Sequence, residues 1–235
     1  MSRPAPPHSL ITSASNPRLR LVRRLLSSRR QREREGLFVC EGEDLVEAAA
    51  AAGLAPVELL VAGETVEAAL LAEASTLGHP PRVVGIYRRD DLPRGLRAVT
   101  LALWRVSDPG NVGTLLRAAD AFGAGLALSA GCADPTGPKA LRASAGAIFR
   151  VPIVRFDEVP APRVALVARG GEPLPALDLD PPLAFVLGAE RGGLPDDVVA
   201  GCERRATIPQ PGAAESLNVA MAGTVALYEL ARRGA

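Results

Sequence analysis

Apolar residues recur along the first third of the chain at two spacings, and the alternation between them predicts its elements. Leu19, Val22, Leu25 and Leu26 fall at helical spacing among arginines and predict one helix over residues 17–35. Residues 37–40 are a short apolar run that reads as a strand. Residues 44–52 read as a helix closed by Gly53, 57–61 as a strand, 66–75 as a helix and 82–86 as a strand. Strand–helix alternation of this kind implies a small α/β module. Residues 88–97 are polar, with Pro and Gly, and mark a linker. The predicted domains are therefore 1–90 and 98–235, with the Pro-rich residues 1–9 expected to be disordered.

A second strand–helix run follows. Residues 99–106 are apolar without interruption, the pattern of a parallel strand buried on both faces. Helices are predicted over 110–122, 138–149, 195–201 and 216–233. Strands are predicted at 125–128, 151–154, 164–168, 183–187 and 206–208, with a Pro-rich loop over 170–182. In the closing helix Leu217, Met221, Val225 and Tyr228 share one apolar stripe.

Composition adds a partner. The net charge is only +1, but between Arg3 and Glu35 nine arginines face two glutamates. A basic segment on a neutral body is the footprint of a phosphate-binding patch, though a solvated helix face near a terminus would read the same way. Arg18, Arg23, Arg24, Arg29 and Arg30 are its candidate contacts, with Arg142 further along the chain. Cys40, Cys132 and Cys202 are odd in number and widely spaced, with no CxxC pair, which argues against a disulfide framework or a zinc site. No His/Cys/Asp cluster has metal-ligand spacing, so no metal is expected. No apolar stretch approaches the roughly 20 residues of a membrane span, and the first residues lack a signal peptide's apolar run. The chain reads as a cytoplasmic protein.

Three segments carry chemistry. Asp108-Pro109-Gly110-Asn111-Val112-Gly113 follows a predicted strand and opens a helix, with Arg117 two turns in. Open α/β sheets bind ligands at such places, and helix N-termini favour anions. Asn111 is read here as the helix N-cap. Gly188-Ala189-Glu190-Arg191-Gly192-Gly193-Leu194 runs from a buried strand into a glycine loop. Glycines allow close approach of a ligand or of backbone, and Glu190 is placed to accept a hydrogen bond. Ile208-Pro209-Gln210-Pro211-Gly212 leads to Ser216-Leu217-Asn218-Val219. Ser216 is read as the N-cap of the last helix, which leaves Asn218 as a polar residue in the first turn that calls for a partner. Caps and turns explain each segment when it is taken alone.

Taken in order, the segments are specific. Gly-Asn-x-Gly-x-x-x-Arg, then Gly-x-Glu-x-x-Gly-Leu, then Ile-Pro-x-x-Gly-x-x-x-Ser-Leu-Asn-Val resembles the three motifs of the SpoU (TrmH-like) RNA ribose methyltransferases of the SPOUT class. The resemblance spans roughly residues 98–233. Upstream, Ile11-Thr12-Ser13, Asn16-Pro17 and Phe38-Val39-Cys40-Glu41-Gly42 are similar to that family's substrate-binding domain, and residues 138–149 are similar to its rRNA-modifying members.

The resemblance implies an α/β fold with a C-terminal trefoil-knotted methyltransferase domain and a small N-terminal α/β domain of ribosomal-protein type that binds substrate. It implies S-adenosylmethionine as methyl donor, a homodimer, and RNA as substrate at a ribose 2′-hydroxyl, with ribosomal RNA favoured and a transfer RNA 2′-O-methyltransferase as an alternative. By motif position Arg117 matches the catalytic arginine, and Asn111, Glu190, Ser216 and Asn218 match the polar residues that shape the site. Leu187, Gly188, Ile208 and Leu217 match the cofactor-binding positions. Ala220 stands where many relatives carry Ser, which puts the support of Asn218 in question. A non-catalytic RNA-binding protein on the same scaffold is the main alternative. A dehydrogenase is a weaker one, because no GxGxxG loop is present.

Overall fold

A computed structural model of the protein describes residues 10–159, 161–212 and 215–233. The predicted disorder of residues 1–9 concerns positions outside these. The chain forms two compact units, one running to Asp91 and one beginning at Leu92, with Thr136–Pro138 grouped with the first.

In the first unit, strands β1 (Leu37–Glu41), β2 (Glu58–Val61) and β3 (Val83–Arg88) form an antiparallel sheet in the order β1-β3-β2. Its core gathers Leu19, Val22, Leu25 and Leu26 with Val39, Leu60, Val84 and Ile86. The single helix expected over 17–35 is two: α1 (Pro17–Ser27) and α2 (Arg29–Glu35). Ser28 breaks them. It adopts extended backbone, and its hydroxyl accepts from the Gln31 N–H and so caps α2. Arg32, on α2, is buried and donates back to the Leu25 carbonyl at 2.5 Å, satisfying an orphan acceptor at the end of α1. Helices α3 (Glu43–Ala51) and α4 (Ala68–Ala74) complete the unit. Glu41 is buried, and its carboxylate accepts from Ser75 Oγ and from the Thr76 N–H and Oγ1, at 2.6–2.7 Å. That ties the end of β1 to the segment after α4.

The second unit is a seven-stranded sheet in which every paired neighbour is parallel. Its strands are β4 (Val99–Leu103), β5 (Gly125–Leu128), β6 (Ile153–Arg155), β7 (Arg163–Leu166), β8 (Glu172–Pro173), β9 (Leu183–Leu187) and β10 (Arg204–Thr207). The order is β6-β5-β4-β9-β7-β10-β8. All five residues of β9 are buried, which explains its unbroken apolar run. The expected loop over 170–182 contains β8 and a short 3-10 turn at Leu174–Ala176. The helix expected over 138–149 is shorter: α6 (Pro138–Ser144) ends where Ala145 and Gly146 take positive φ, and a 3-10 turn follows.

Two helices position the site. α5 (Pro109–Ala121) follows β4, and α8 (Val219–Ala231) closes the chain, with the short α7 (Asp196–Ala200) between. A Cβ on Gly223 of α8 would come within 2.5 Å of Leu115 Cδ2 on α5. Only glycine lets these helices pack so closely, and the packing brings α8 against α5. The buried side of α8 is Val219, Ala220, Gly223, Ala226 and Leu227. The stripe read from the sequence points elsewhere: Met221, Val225 and Tyr228 are exposed.

Candidate active site

Helix α5 is capped by Asp108, not by Asn111. Asp108 Oδ1 accepts from the Asn111 backbone N–H at 2.9 Å, and Pro109 fills the first helical position, where no N–H is needed. The side chain of Asn111 is thereby released for other work. Its Nδ2 donates to Glu190 Oε1 at 3.1 Å.

Helix α8 is capped by Asn218, not by Ser216. The helix starts three residues later than Ser216, and Asn218 Oδ1 accepts from the backbone N–H groups of Ala220 and Met221 at 2.9 and 3.3 Å. Asn218 Nδ2 then donates to Asn111 Oδ1 at 3.1 Å. Asn218 therefore uses both ends of its amide. The support that Ala220 lends is its backbone N–H, so no hydroxyl at that position is needed to hold Asn218.

Glu190 completes the chain. Its carboxylate accepts from the Asp108 N–H at 3.1 Å, the Ser107 N–H at 3.3 Å and Asn111 Nδ2. It faces the N-terminus of α5, where the helix dipole favours negative charge. Burial by itself pushes the Glu190 carboxyl up. The hydrogen bonds from Asn111 and from backbone N–H groups, including those of Asp108 and Ser107, outweigh it and hold the group below the usual range.

The glycine loop is closed on itself. Ala189 and Gly193 exchange two backbone hydrogen bonds of 3.1 and 2.9 Å, and Gly193 has φ +62°. A Cβ on Gly188 would lie 2.1 Å from the Gly193 carbonyl carbon and 2.4 Å from its oxygen. No side chain fits there.

Around these loops lies a cleft of about 680 Å³. It is walled by the carboxyl ends of β7, β9 and β10 and by the approach to α8, the place where open parallel sheets bind ligands. Leu187, Gly188, Ile208 and Leu217 line it, together with Glu190, Ser216 and Asn218. Asn111 does not line it, but touches it through Glu190 and Asn218. Arg117 is also outside the cleft wall. It is exposed on α5, and its guanidinium has no hydrogen bond or ion pair among the described residues.

The arginines of the first unit differ among themselves. Arg18 pairs with Glu58 at 3.3 Å, Arg29 with Glu33 at 2.7 Å, and Arg23 donates to the Ala14 carbonyl at 2.8 Å. Arg24 and Arg30 are exposed and form no side-chain hydrogen bond or salt bridge among the described residues, though the charge of Arg24, after the hydrogen bond from Arg34, helps lower the Glu35 carboxyl. Arg142 is exposed on α6 of the second unit.

Several site residues escaped the sequence reading. Asp108 carried a signal, since an acidic residue directly before a Pro at a helix start is a cap signature. Ser107, Arg169, Arg191 and Gln210 also belong to the network or the cleft wall, and nothing in their local sequence marks them.

The profile of the SpoU rRNA Methylase family matches residues 98–228, the stretch that holds the cleft and the hydrogen-bonded series through Glu190, Asn111 and Asn218. The chain belongs to the SpoU rRNA methylase family. A second profile, the MRM3-like substrate binding domain, matches residues 16–85. Among similar proteins, the 23S rRNA (uridine(2479)-2′-O)-methyltransferase of Streptomyces viridochromogenes is 32% identical, over 94% of this chain and 91% of that protein. The 23S rRNA (guanosine(2553)-2′-O)-methyltransferase of Bacillus subtilis is 28% identical, over 94% of this chain and 98% of that protein. The solved structure of an AdoMet-bound rRNA methyltransferase from Sinorhizobium meliloti superposes with a TM-score of 0.83 at 30% identity, covering 96% of this chain and 97% of that one.

The cleft of the SpoU-type second unit also fits S-adenosylmethionine in size and lining. A cleft of this size is in the range of small-molecule sites, about 300–1,000 Å³. Its aliphatic wall suits an adenine ring, and the glycine loop exposes backbone groups to a ligand. A buried polar atom of the cleft-lining Gln210, Oε1, has no hydrogen-bond partner among the described residues.

Proposed function

We propose that this chain transfers the methyl group of S-adenosylmethionine to a ribose 2′-hydroxyl of ribosomal RNA. One observation carries the reading. The hydrogen-bonded series Ser107/Asp108–Glu190–Asn111–Asn218 ties all three motif segments into one rigid edge of the cleft.

When bound, the cofactor supplies an electrophilic sulfonium methyl. The protein's own work is to hold the ribose in line with it, and positioning of that kind removes several kcal/mol of barrier, up to roughly 7–11. Leu187, Gly188, Ile208 and Leu217 hold the cofactor, largely through backbone groups. Glu190, with Asn111 and Asn218, fixes the loop edge, while Ser216 offers an exposed hydroxyl at the cleft. Arg117, a free exposed cation, orients the ribose and its phosphate and stabilises charge developing on the 2′-oxygen. A guanidinium is not deprotonated in a protein, which makes it a poor base.

The first domain, residues 1–90, delivers the RNA. Arg24 and Arg30, which form no salt bridge among the described residues, are its phosphate contacts, and Arg18, Arg23 and Arg29 contribute by exchanging their glutamate or carbonyl partners, with Arg142 on the second domain, 98–235. The enzyme works in the cytoplasm as a homodimer with a trefoil-knotted second domain. The exposed Met221, Val225 and Tyr228, one side of α8, support a self-contact. Among the described residues no helix is long and apolar enough to cross a membrane.

The test is transfer of labelled methyl from S-adenosylmethionine to ribosomal RNA by the purified protein, with the modified ribose mapped. Label appearing only on bases, or only on transfer RNA, would overturn the reading.

A further inference from the structure

Arg105 holds a backbone conformation that favours glycine. Its φ is +55°, and among the described residues Ala145 is the other non-glycine residue with positive φ. Left-handed backbone crowds a Cβ, so it persists only where the surroundings impose it. Here they do. The Arg105 N–H donates to Ser129 Oγ at 2.9 Å. Before it, the Trp104 N–H donates to the Leu187 carbonyl at 2.8 Å, and the Trp104 ring packs edge-on against Phe156. After it, Val106 is fully buried, and its carbonyl accepts from the Ala133 N–H at 2.9 Å. Glycine or asparagine would make the same turn at lower cost.

The strained turn presents a cation. Arg105 is exposed, and its guanidinium makes no hydrogen bond or ion pair among the described residues. Its stem lies beside Gly131, where an added Cβ would meet Arg105 Cγ at 3.4 Å and Nε at 3.7 Å. The side chain is therefore laid against the loop after β5, with its head left to solvent.

Position narrows the ligand. Leu187, which accepts from Trp104, lines the cleft, and the N–H of Ser107, two residues past Arg105, donates to Glu190 at the cleft edge. Arg105 itself is not part of the cleft wall. A cation just outside the cleft suits a polymeric substrate, whose chain stays outside while one ribose enters. A guanidinium matches a phosphate through two parallel N–H bonds.

We propose that Arg105 binds a backbone phosphate of the RNA beside the nucleotide that is methylated. This rests on the methyl-transfer reading above. It makes Arg105 a substrate-binding residue whose position is held at the expense of backbone strain.

Steady-state methyl transfer to protein-free ribosomal RNA, run at several salt concentrations, tests it. Arg105→Gly removes the cation and suits the backbone. Its KM for RNA is expected to rise about tenfold, the worth of one hydrogen bond to a charged group. The slope of log RNA affinity against log salt is expected to flatten by about one. Affinity for S-adenosylhomocysteine should stay within about twofold of wild type. The melting temperature should be no lower than wild type, since strain is relieved. Arg105→Asn also tolerates this φ and is expected to repeat the loss. Arg105→Lys keeps the charge and is expected to keep the salt slope. Arg105→Gly and Arg105→Asn proteins with wild-type KM and salt slope overturn the inference. So does a loss confined to kcat, or weakened S-adenosylhomocysteine binding, which would assign Arg105 to the cofactor. Wild-type protein that transfers no methyl to ribosomal RNA overturns the underlying reading, a result seen without any variant.

Discussion

Asn218 Nδ2 donates to Asn111 Oδ1 at 3.1 Å, which joins the start of the last helix to the start of the first helix of the catalytic unit. The two residues are 107 positions apart in the chain. Each sits at a helix N-terminus, and Gly223 permits the close packing that brings α8 onto α5. The contact makes separable predictions, because Asn218 both caps a helix and donates across it.

Asn218→Asp keeps the capping oxygen and replaces the donor with an acceptor facing Asn111 Oδ1. The melting temperature is expected to stay near wild type, since Asp caps as well as Asn, while methyl transfer falls at least about tenfold. Asn218→Ala also loses the cap and is expected to cost about 1 kcal/mol of stability. Denaturation and transfer rates on both variants check this, and equal activity of Asn218→Asp and wild type would refute a role for the cross-helix bond.

Glu190 sets a pH dependence. Its folded-state pKa lies below the usual glutamate value of 4.5. Its stabilising effect is therefore fully present above pH 4.5 and is lost as pH falls through the lowered value. Thermal melts from pH 7 down to about 3 should show an acid decline that is shallower in Glu190→Gln. Parallel curves would show that the carboxylate is not coupled to folding.

Gly188→Ala places a methyl where backbone atoms of Gly193 and Leu194 already lie, at 2.1–2.4 Å. The loop must open. Saturable binding of S-adenosylhomocysteine is expected to vanish or weaken by more than about a hundredfold, from steric displacement at a ligand-contacting loop. Calorimetry decides, and near-normal affinity would remove the loop from the cofactor site.

Arg117→Ala deletes an exposed cation whose guanidinium makes no hydrogen bond or ion pair among the described residues. Fold and cofactor affinity should remain near wild type, while methylation is abolished. A variant that methylates RNA at the wild-type rate ends the assignment.

Arg24 and Arg30 bear on RNA affinity. The double alanine variant should bind RNA more weakly across sequences, and the slope of log affinity against log salt should flatten by roughly one to two. Unchanged salt dependence would place the RNA elsewhere.

Much was legible in local pattern. The unbroken apolar runs of β4 and β9 marked buried parallel strands, and motif order placed Asn111, Glu190 and Asn218 together in function. The caps were misplaced because Asn111 and Ser216 each satisfy the local rule for a cap. Which residue takes the cap depends on what else its side chain can reach, and Asn111 reaches Glu190 and Asn218 only after the sheet has formed. The single helix over residues 17–35 was misread for a similar reason. Its spacing is continuous, but Ser28 offers a cap and Arg32 a return bond to Leu25.

By itself, then, the sequence determined the alternation of strands and helices in outline, the basic bias of the first unit, and the three motif segments. Those follow from periodicity, charge and turn chemistry within a few residues. Only the tertiary structure decided that Asn218 both caps α8 and reaches Asn111, that the stripe Met221–Val225–Tyr228 faces outward, and that Gln210 Oε1 is buried without a partner among the described residues. These are properties of contacts between distant segments, and no local spacing encodes them.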